Sequence, residues 1–196
     1  MLDLSKNKIK YSLLFVLFSF SACSACSLEE DYLTKANNYY KSYVVDKDKH
    51  DLENAYYYFY KASLTTPSAK SFLGMGRVFI EKEMYDKAKI YLYKAYNIDK
   101  NDAMVNYYIG CYYFKKEEYT KALSFFVRAK ELGVLDGFDI NYKMATIYEK
   151  VGDFELAKEF YAKAQKFNTE DDFFAPKAQN LDSLDTNKIL YFNDWD

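Results

Sequence analysis

The chain has 196 residues, half of them apolar, with 22 Tyr and 16 Phe against six Gly and two Pro. That length suits one compact domain with a sizeable core, and so few breakers exclude a disordered chain and disfavour strand-and-turn architectures. The formal net charge is −2, or −4 (24 basic against 28 acidic groups) once Asp3, Lys6, Lys8 and Lys10 of the first 22 residues are set aside. Such a balance carries no electrostatic footprint for nucleic acid.

Lys6, Lys8 and Lys10 form a positive n-region, followed by an apolar run from Tyr11 to Phe20 and the small residues Ser21, Ala22, Cys23, Ser24, Ala25 and Cys26. This is the layout of an export signal over residues 1–22. A run of about ten apolar residues falls well short of the ~20 that cross roughly 30 Å of hydrocarbon, so a spanning helix is not expected. The segment Phe20-Ser21-Ala22-Cys23 resembles a bacterial lipobox, with Phe20 where Leu is usual. The resemblance implies cleavage before Cys23 and diacylglycerol on its sulfur; Cys26 is a second candidate, and an ordinary secretory signal with a soluble product is the alternative to both. Each buried methylene contributes about 0.8 kcal/mol, so two or more acyl chains would hold the protein stably on a membrane, with residues 23–30 as the tether. Ser24 and Leu28 give no retention signal of the aspartate type, which favours the outer membrane, at its periplasmic face or the surface, over the inner one.

Ala55, Phe59 and Ala62 stand 33 residues before Ala88, Leu92 and Ala95, which predicts a degenerate helical hairpin over residues 31–68. Its turn contains Lys47, Asp48, Lys49 and His50, and the stretch from Val44 to Asp51 is long for a turn, leaving the register of the first helix open. Thr66-Pro67 reads as an N-cap followed by Pro at the first helical position. Three further units follow, over 69–102, 103–137 and 138–171. Gly76 and Gly110, Tyr85 and Tyr119, Ala88 and Ala122, and Ala95 and Ala129 all recur at 34 residues, and Ala145, Phe154, Ala157 and Ala164 follow at 35. Asn101 or Asp102 suits the cap of the middle unit, and Gly152 the turn inside the last. Residues 176–184 predict a short capping helix within 172–196, and the acidic, aromatic end from Asp185 reads as a flexible tail or a strand-like appendage.

Phe72-x-x-Met75-Gly76-x-x-Phe79 with Ala88, Leu92 and Ala95 resembles the tetratricopeptide repeat. Ile109-Gly110-x-x-Tyr113 with Ala122, Phe126 and Ala129, and Met144-Ala145-x-x-Tyr148 with Ala157, Tyr161 and Ala164, resemble it as well. Asn106 and Asn141 replace a large aromatic, which predicts weaker packing there. Small residues let paired helices approach while large ones a turn away fill the flanking holes. The resemblance implies an all-α fold, a right-handed superhelix of three to four antiparallel hairpins with a C-terminal capping helix.

No phosphate loop, metal-spaced histidines, nucleophile elbow or paired core cysteines are present, so neither enzyme activity, cofactor, metal nor small-molecule substrate is expected. His50, the only histidine, reads as a solvated turn residue, and Cys111 as a small, partly buried hydrophobe. In the family the first helix of every unit lines a concave groove. The matching positions are Leu73, Arg77 and Ile80, then Tyr107, Cys111 and Phe114, then Tyr142, Thr146 and Glu149, spaced three or four apart and hence on one face of each helix. The lysines and asparagines with which the chaperone-binding branch clamps a terminal carboxylate are absent from these positions. The resemblance therefore implies a protein or peptide partner with apolar anchors, oriented by Arg77 and by Lys115 or Lys150. Alternatively, the N-terminal hairpin or the C-terminal tail covers these positions. The function expected is that of an anchored scaffold in cell-envelope assembly, similar to repeat-containing lipoproteins of other bacteria, or a surface-displayed binder of a host or environmental ligand.

Overall fold

The computed structural model describes residues 27–134 and 137–167. The signal segment with Cys23 and Cys26, the capping helix and the acidic tail lie outside the described residues. Those described are all-α, eight helices joined by short connections. The chain divides after Lys100 into two compact units. The first holds α1 (residues 27–46), α2 (Lys49–Thr65), α3 (Ala69–Glu81) and α4 (Tyr85–Ile98). The second holds α5 (Ala103–Lys115), α6 (Tyr119–Glu131), α7 (Phe138–Lys150) and α8 (Phe154–Gln165). No helix of the described residues is long and apolar enough to cross a membrane.

The pairs α1–α2, α3–α4, α5–α6 and α7–α8 form antiparallel hairpins because the turn inside each is only two or three residues long. At the end of α3 the Glu83 N–H donates to Ile80 O and the Met84 N–H to Phe79 O, and α5 and α7 end in the same two-bond pattern. This arrangement satisfies the last carbonyls of the helix but requires one residue in the left-handed region. Gly152 fills that position at φ 83°, as expected of a turn glycine, whereas Glu83 and Glu117 adopt it at φ 57° and 59°. Starts are capped by Asp102, which accepts from Met104 N and Val105 N, and by Asp153, which accepts from Leu156 N. The third helix departs from expectation: its N-cap is Ser68, in a reciprocal box with Ser71, and Pro67 precedes the cap. A serine hydroxyl can accept from the third N–H of the helix, which neither Pro67 nor an N-cap two residues upstream allows.

The first hairpin is longer than the others. Nineteen residues separate Ala36 from Ala55, where twelve separate Gly76 from Ala88. The surplus of seven enters the helices and not the turn: α1 continues to residue 46, Lys47 and Asp48 turn the chain, and α2 begins at Lys49. Two helical turns accommodate about seven residues, so the buried faces stay in phase. The helix α1 is already formed at residue 27, earlier than the expected start at 31.

In every hairpin the core repeats one scheme. Ala36, Ala55, Phe59 and Ala62 are buried together with Met75 and Val78 in the first unit, and Ala145, Ala157 and Tyr161 in the second. Outside each small-residue seam, an aromatic of the first helix meets one of the second: Tyr39 with Tyr58, Phe79 with Tyr91, Tyr113 with Phe125 and Tyr148 with Phe160, all stacked at 5.3–5.7 Å between centroids. Asn106 and Asn141 are fully buried, and each donates its Nδ2–H to the N-cap carbonyl one turn back, Asp102 O at 2.8 Å and Gly137 O at 2.9 Å. Asn141 Oδ1 also accepts from Lys130 Nζ, joining α6 to α7. These asparagines exchange aromatic bulk for a satisfied polar lock at the helix start.

Candidate functional site

In the first unit, α1 and α3 flank a groove of ≈ 260 Å³. Leu33, Phe59 and Leu73 supply its apolar lining, and Glu30, Asn37, Lys70 and Arg77 its polar groups. The backbone of α3 comes close to α2 at Gly74, where a Cβ would run into the ring of Phe59. Arg77 lies over Tyr40, its Cζ 4.0 Å from the ring centroid, and the Tyr40 hydroxyl donates to Glu81 Oε1 at 3.2 Å. Packing on an aromatic face restricts where the guanidinium can sit. Leu73 is part of this lining, whereas Ile80 is buried in the packing of α3.

The second unit presents the corresponding faces of α5 and α7. Tyr107 is half-buried, its ring 5.8 Å from that of Phe126 and under Lys143 Nζ at 6.0 Å. Lys143 is itself paired with Asp139. Phe114 is half-buried beside Tyr119, and Cys111 is buried. On α7, Tyr142 stacks on Phe138 at 5.4 Å and meets the edge of Tyr161 at 5.6 Å. Thr146 Oγ1 donates to Tyr142 O at 2.9 Å and lies 3.4 Å from the Tyr161 hydroxyl. That hydroxyl donates to Glu149 Oε2 at 2.5 Å. Burial of Tyr161 and its bond to the Glu149 carboxylate both push the phenol above its ordinary range, so it remains a donor. A buried phenol from α8 thus holds a carboxylate of α7 in one orientation.

Of the residues expected on these faces, Arg77, Tyr107, Phe114, Tyr142, Thr146 and Glu149 keep partial exposure, while Leu73, Ile80 and Cys111 are at most 8 % exposed. Glu30, Asn37 and Lys70 are not evident in the sequence while the register of α1 is open. Ala36-x-x-Tyr39, which parallels Gly76-x-x-Phe79, was the signal that sets it. His50 sits exposed in the first turn of α2, its N–H bonded to Asp48. Among the described residues no group of three His, Cys, Asp or Glu is placed to hold a metal.

The tetratricopeptide repeat family model matches residues 69–102 and 138–171. Among curated proteins, the TPR repeat-containing protein YpiA of Bacillus subtilis strain 168 is 26% identical over 139 residues, covering 70% of this chain. The chain spans only 32% of YpiA's length. Among solved structures, Pseudomonas aeruginosa PilF has a TM-score of 0.66 at 18% identity, covering 81% of this chain and 69% of its own. YrrB, described as a TPR protein with an unusual peptide-binding site, has a TM-score of 0.54 at 24% identity, covering 88% and 90%. At these identities the structural likenesses speak for the fold. The two matched segments resemble the tetratricopeptide repeat, and the hairpin architecture common to both units is similar to that of tetratricopeptide repeat structures.

Proposed function

We propose that the chain is an envelope lipoprotein, acylated on Cys23, that recruits a partner protein by holding a segment of it against the first helices of its hairpins. The observation that carries this reading is the groove between α1 and α3, an apolar lining ringed by Lys70, Asn37 and a pre-oriented Arg77. An apolar lining with a few fixed polar groups suits a peptide that buries one or two side chains and hydrogen-bonds beside them. The aromatic faces of Tyr107, Phe114 and Tyr142, with Thr146 and Glu149 beside them, offer the same chemistry on the second unit. Cys111 and Ile80 serve this reading as packing beneath the contact surface. The tetratricopeptide fold, widely used as a binding scaffold, supports a protein or peptide partner; the lipobox-like segment supports an anchor on the outer membrane.

A photo-crosslinking residue at Tyr107, with one at Ser124 on the other helix of the same hairpin as control, tests the reading in the protein's own cells. A discrete adduct at Tyr107 and none at Ser124 is expected. Arg77→Ala, or Phe114→Ala with Tyr142→Ala, should then weaken capture about 30-fold, the loss of roughly 2 kcal/mol typical of a contact anchor. Equal adducts at both positions, or capture indifferent to all three substitutions, would reject the groove. The anchor is tested apart: Cys23→Ala should abolish incorporation of labelled fatty acid, and unchanged labelling rejects acylation at that residue.

A further inference from the structure

The distance from the acylated cysteine to the folded domain is short. Helix α1 is already wound at residue 27, and only Ser24, Ala25 and Cys26 separate that residue from Cys23. Fully extended, four Cα steps of about 3.5 Å reach about 14 Å. The headgroup layer alone takes up roughly 5–7 Å of that reach. Acylation on Cys26 would shorten the connection further.

The end of the first unit nearest residue 27 also carries the last turns of α2 and α4 and the first turn of α3, because the hairpins are antiparallel; Glu30 and Lys70 accordingly line one groove. Three large apolar side chains stand out at this end: Leu28 (44% exposed), Leu64 (63%) and Ile98 (52%). From Leu64 the exposed side of α2 continues through Tyr60 to Tyr57, with Lys61 Nζ 5.4 Å above the Tyr57 ring. Leucine and isoleucine flanked by tyrosine and lysine is the composition of a surface that meets lipid at headgroup depth, where an aromatic ring bridges apolar and wet layers and a lysine stem lies along apolar surface with its charge in water. Nearby charges are mixed, with Glu29, Glu30 and Asp99 against Lys61, Lys70 and Lys100. The contact is therefore apolar in character and does not require anionic lipid.

We propose that this end of the first unit is a membrane-contact surface, Leu28, Leu64 and Ile98 entering the interface of the bilayer that holds the acyl chains, so that the domain stands end-on upon it. The proposal rests on the lipid-anchor reading given above. The opposite end lies out of range: Val45 is about 27 Å from residue 27 along α1 at 1.5 Å per residue. The groove between α1 and α3 is then presented at a fixed height and cannot sweep freely as it would on a long tether.

The test uses the full-length acylated protein in phosphatidylcholine vesicles, in a Trp195→Phe background, with tryptophan introduced singly as Leu64→Trp, Ile98→Trp or Val45→Trp. Lipid acyl chains brominated close to the headgroup quench tryptophans that enter the interface. Loss of most emission at positions 64 and 98 with none at 45, unchanged when anionic lipid is added, is the expected result. Protein that floats with the vesicles but is unquenched at 64 and 98 overturns the proposal and leaves the anchor standing. Quenching at all three positions overturns the end-on orientation, and blue-shifted but unquenched emission at 64 and 98 means that protein, not lipid, covers this end. Protein whose mass lacks acyl groups and which fails to float overturns the anchor reading and the proposal together.

Discussion

The hydroxyl of Tyr161 is a single atom whose removal tests how the second unit holds Glu149. Tyr161→Phe keeps a ring that is only 3% exposed and deletes a donor lying 2.5 Å from Glu149 Oε2 and 3.4 Å from Thr146 Oγ1. Thr146 retains its bond to Tyr142 O, so the loss falls on the bond to the carboxylate. Hydrogen bonds to charged groups contribute about 1.5–3 kcal/mol, and because Glu149 is partly exposed and recovers some hydration, the lower end, about 1.5 kcal/mol, applies. For a chain of this size that corresponds to a fall of about 3–6 °C in Tm. Urea unfolding followed by circular dichroism, combined with Glu149→Gln in a double-mutant cycle, measures the coupling directly. The pH dependence has a defined sign. The folded-state phenol titrates above its ordinary value of 10, so its contribution is complete below pH 10 and is lost as the pH rises beyond it, where the unfolded chain releases the proton first. Tyr161→Phe should therefore flatten the alkaline fall in stability. A cycle with no coupling, or an alkaline limb identical in wild type and variant, would refute the network.

Gly110→Ala should destabilise the protein by about 1 kcal/mol in urea unfolding: an added Cβ would lie 2.6 Å from Phe126 Cδ1, and overpacking of about 1–3 kcal/mol exceeds the roughly 1 kcal/mol of helix propensity gained. A rise in the urea midpoint would contradict that close approach. Gly152→Ala, forcing a side chain to φ 83°, should cost about 1–2 kcal/mol. Glu117→Gly at the equivalent turn should instead be neutral or stabilising by up to about 1 kcal/mol, because relief at φ 59° competes with added unfolded-state entropy; thermal scans on both variants decide it. Asn141→Ala removes the bonds to Gly137 O and Lys130, and should cost about 1–3 kcal/mol with accelerated amide exchange at the start of α7.

Positions that recur with the repeat were legible because their chemistry is simple. Gly76, Gly110 and Ala145 are small where two helices nearly touch, and no other constraint gives that spacing. Polar substitutions were harder: Asn106 and Asn141 read as lost aromatics, since a side chain that bonds the carbonyl four residues back looks in sequence like any buried polar residue. The stacked aromatics on second helices, Tyr58, Tyr91, Phe125 and Phe160, are hidden among 38 tyrosines and phenylalanines in all. The α1–α3 groove is hidden for a different reason. Its residues are ordinary surface types, and only the register of α1 brings Glu30 and Asn37 opposite Lys70 and Arg77. Turn residues Glu83 and Glu117 carry no signal, because a glutamate in the left-handed region is held there by the two hydrogen bonds around it and not by preference.

The long first hairpin shows how such an array can change in size without losing alignment. The seven added residues, shared between α1 and α2, amount to two helical turns less about 20°, and Ala55, Phe59 and Ala62 face inward as their counterparts do. One residue more or fewer would swing that stripe by about 100° and turn it toward solvent. Height above the neighbouring hairpin is therefore adjustable only in discrete increments. Val44 and Val45 occupy a promontory that later repeats do not possess, where surface chemistry can vary independently of the interior beneath it.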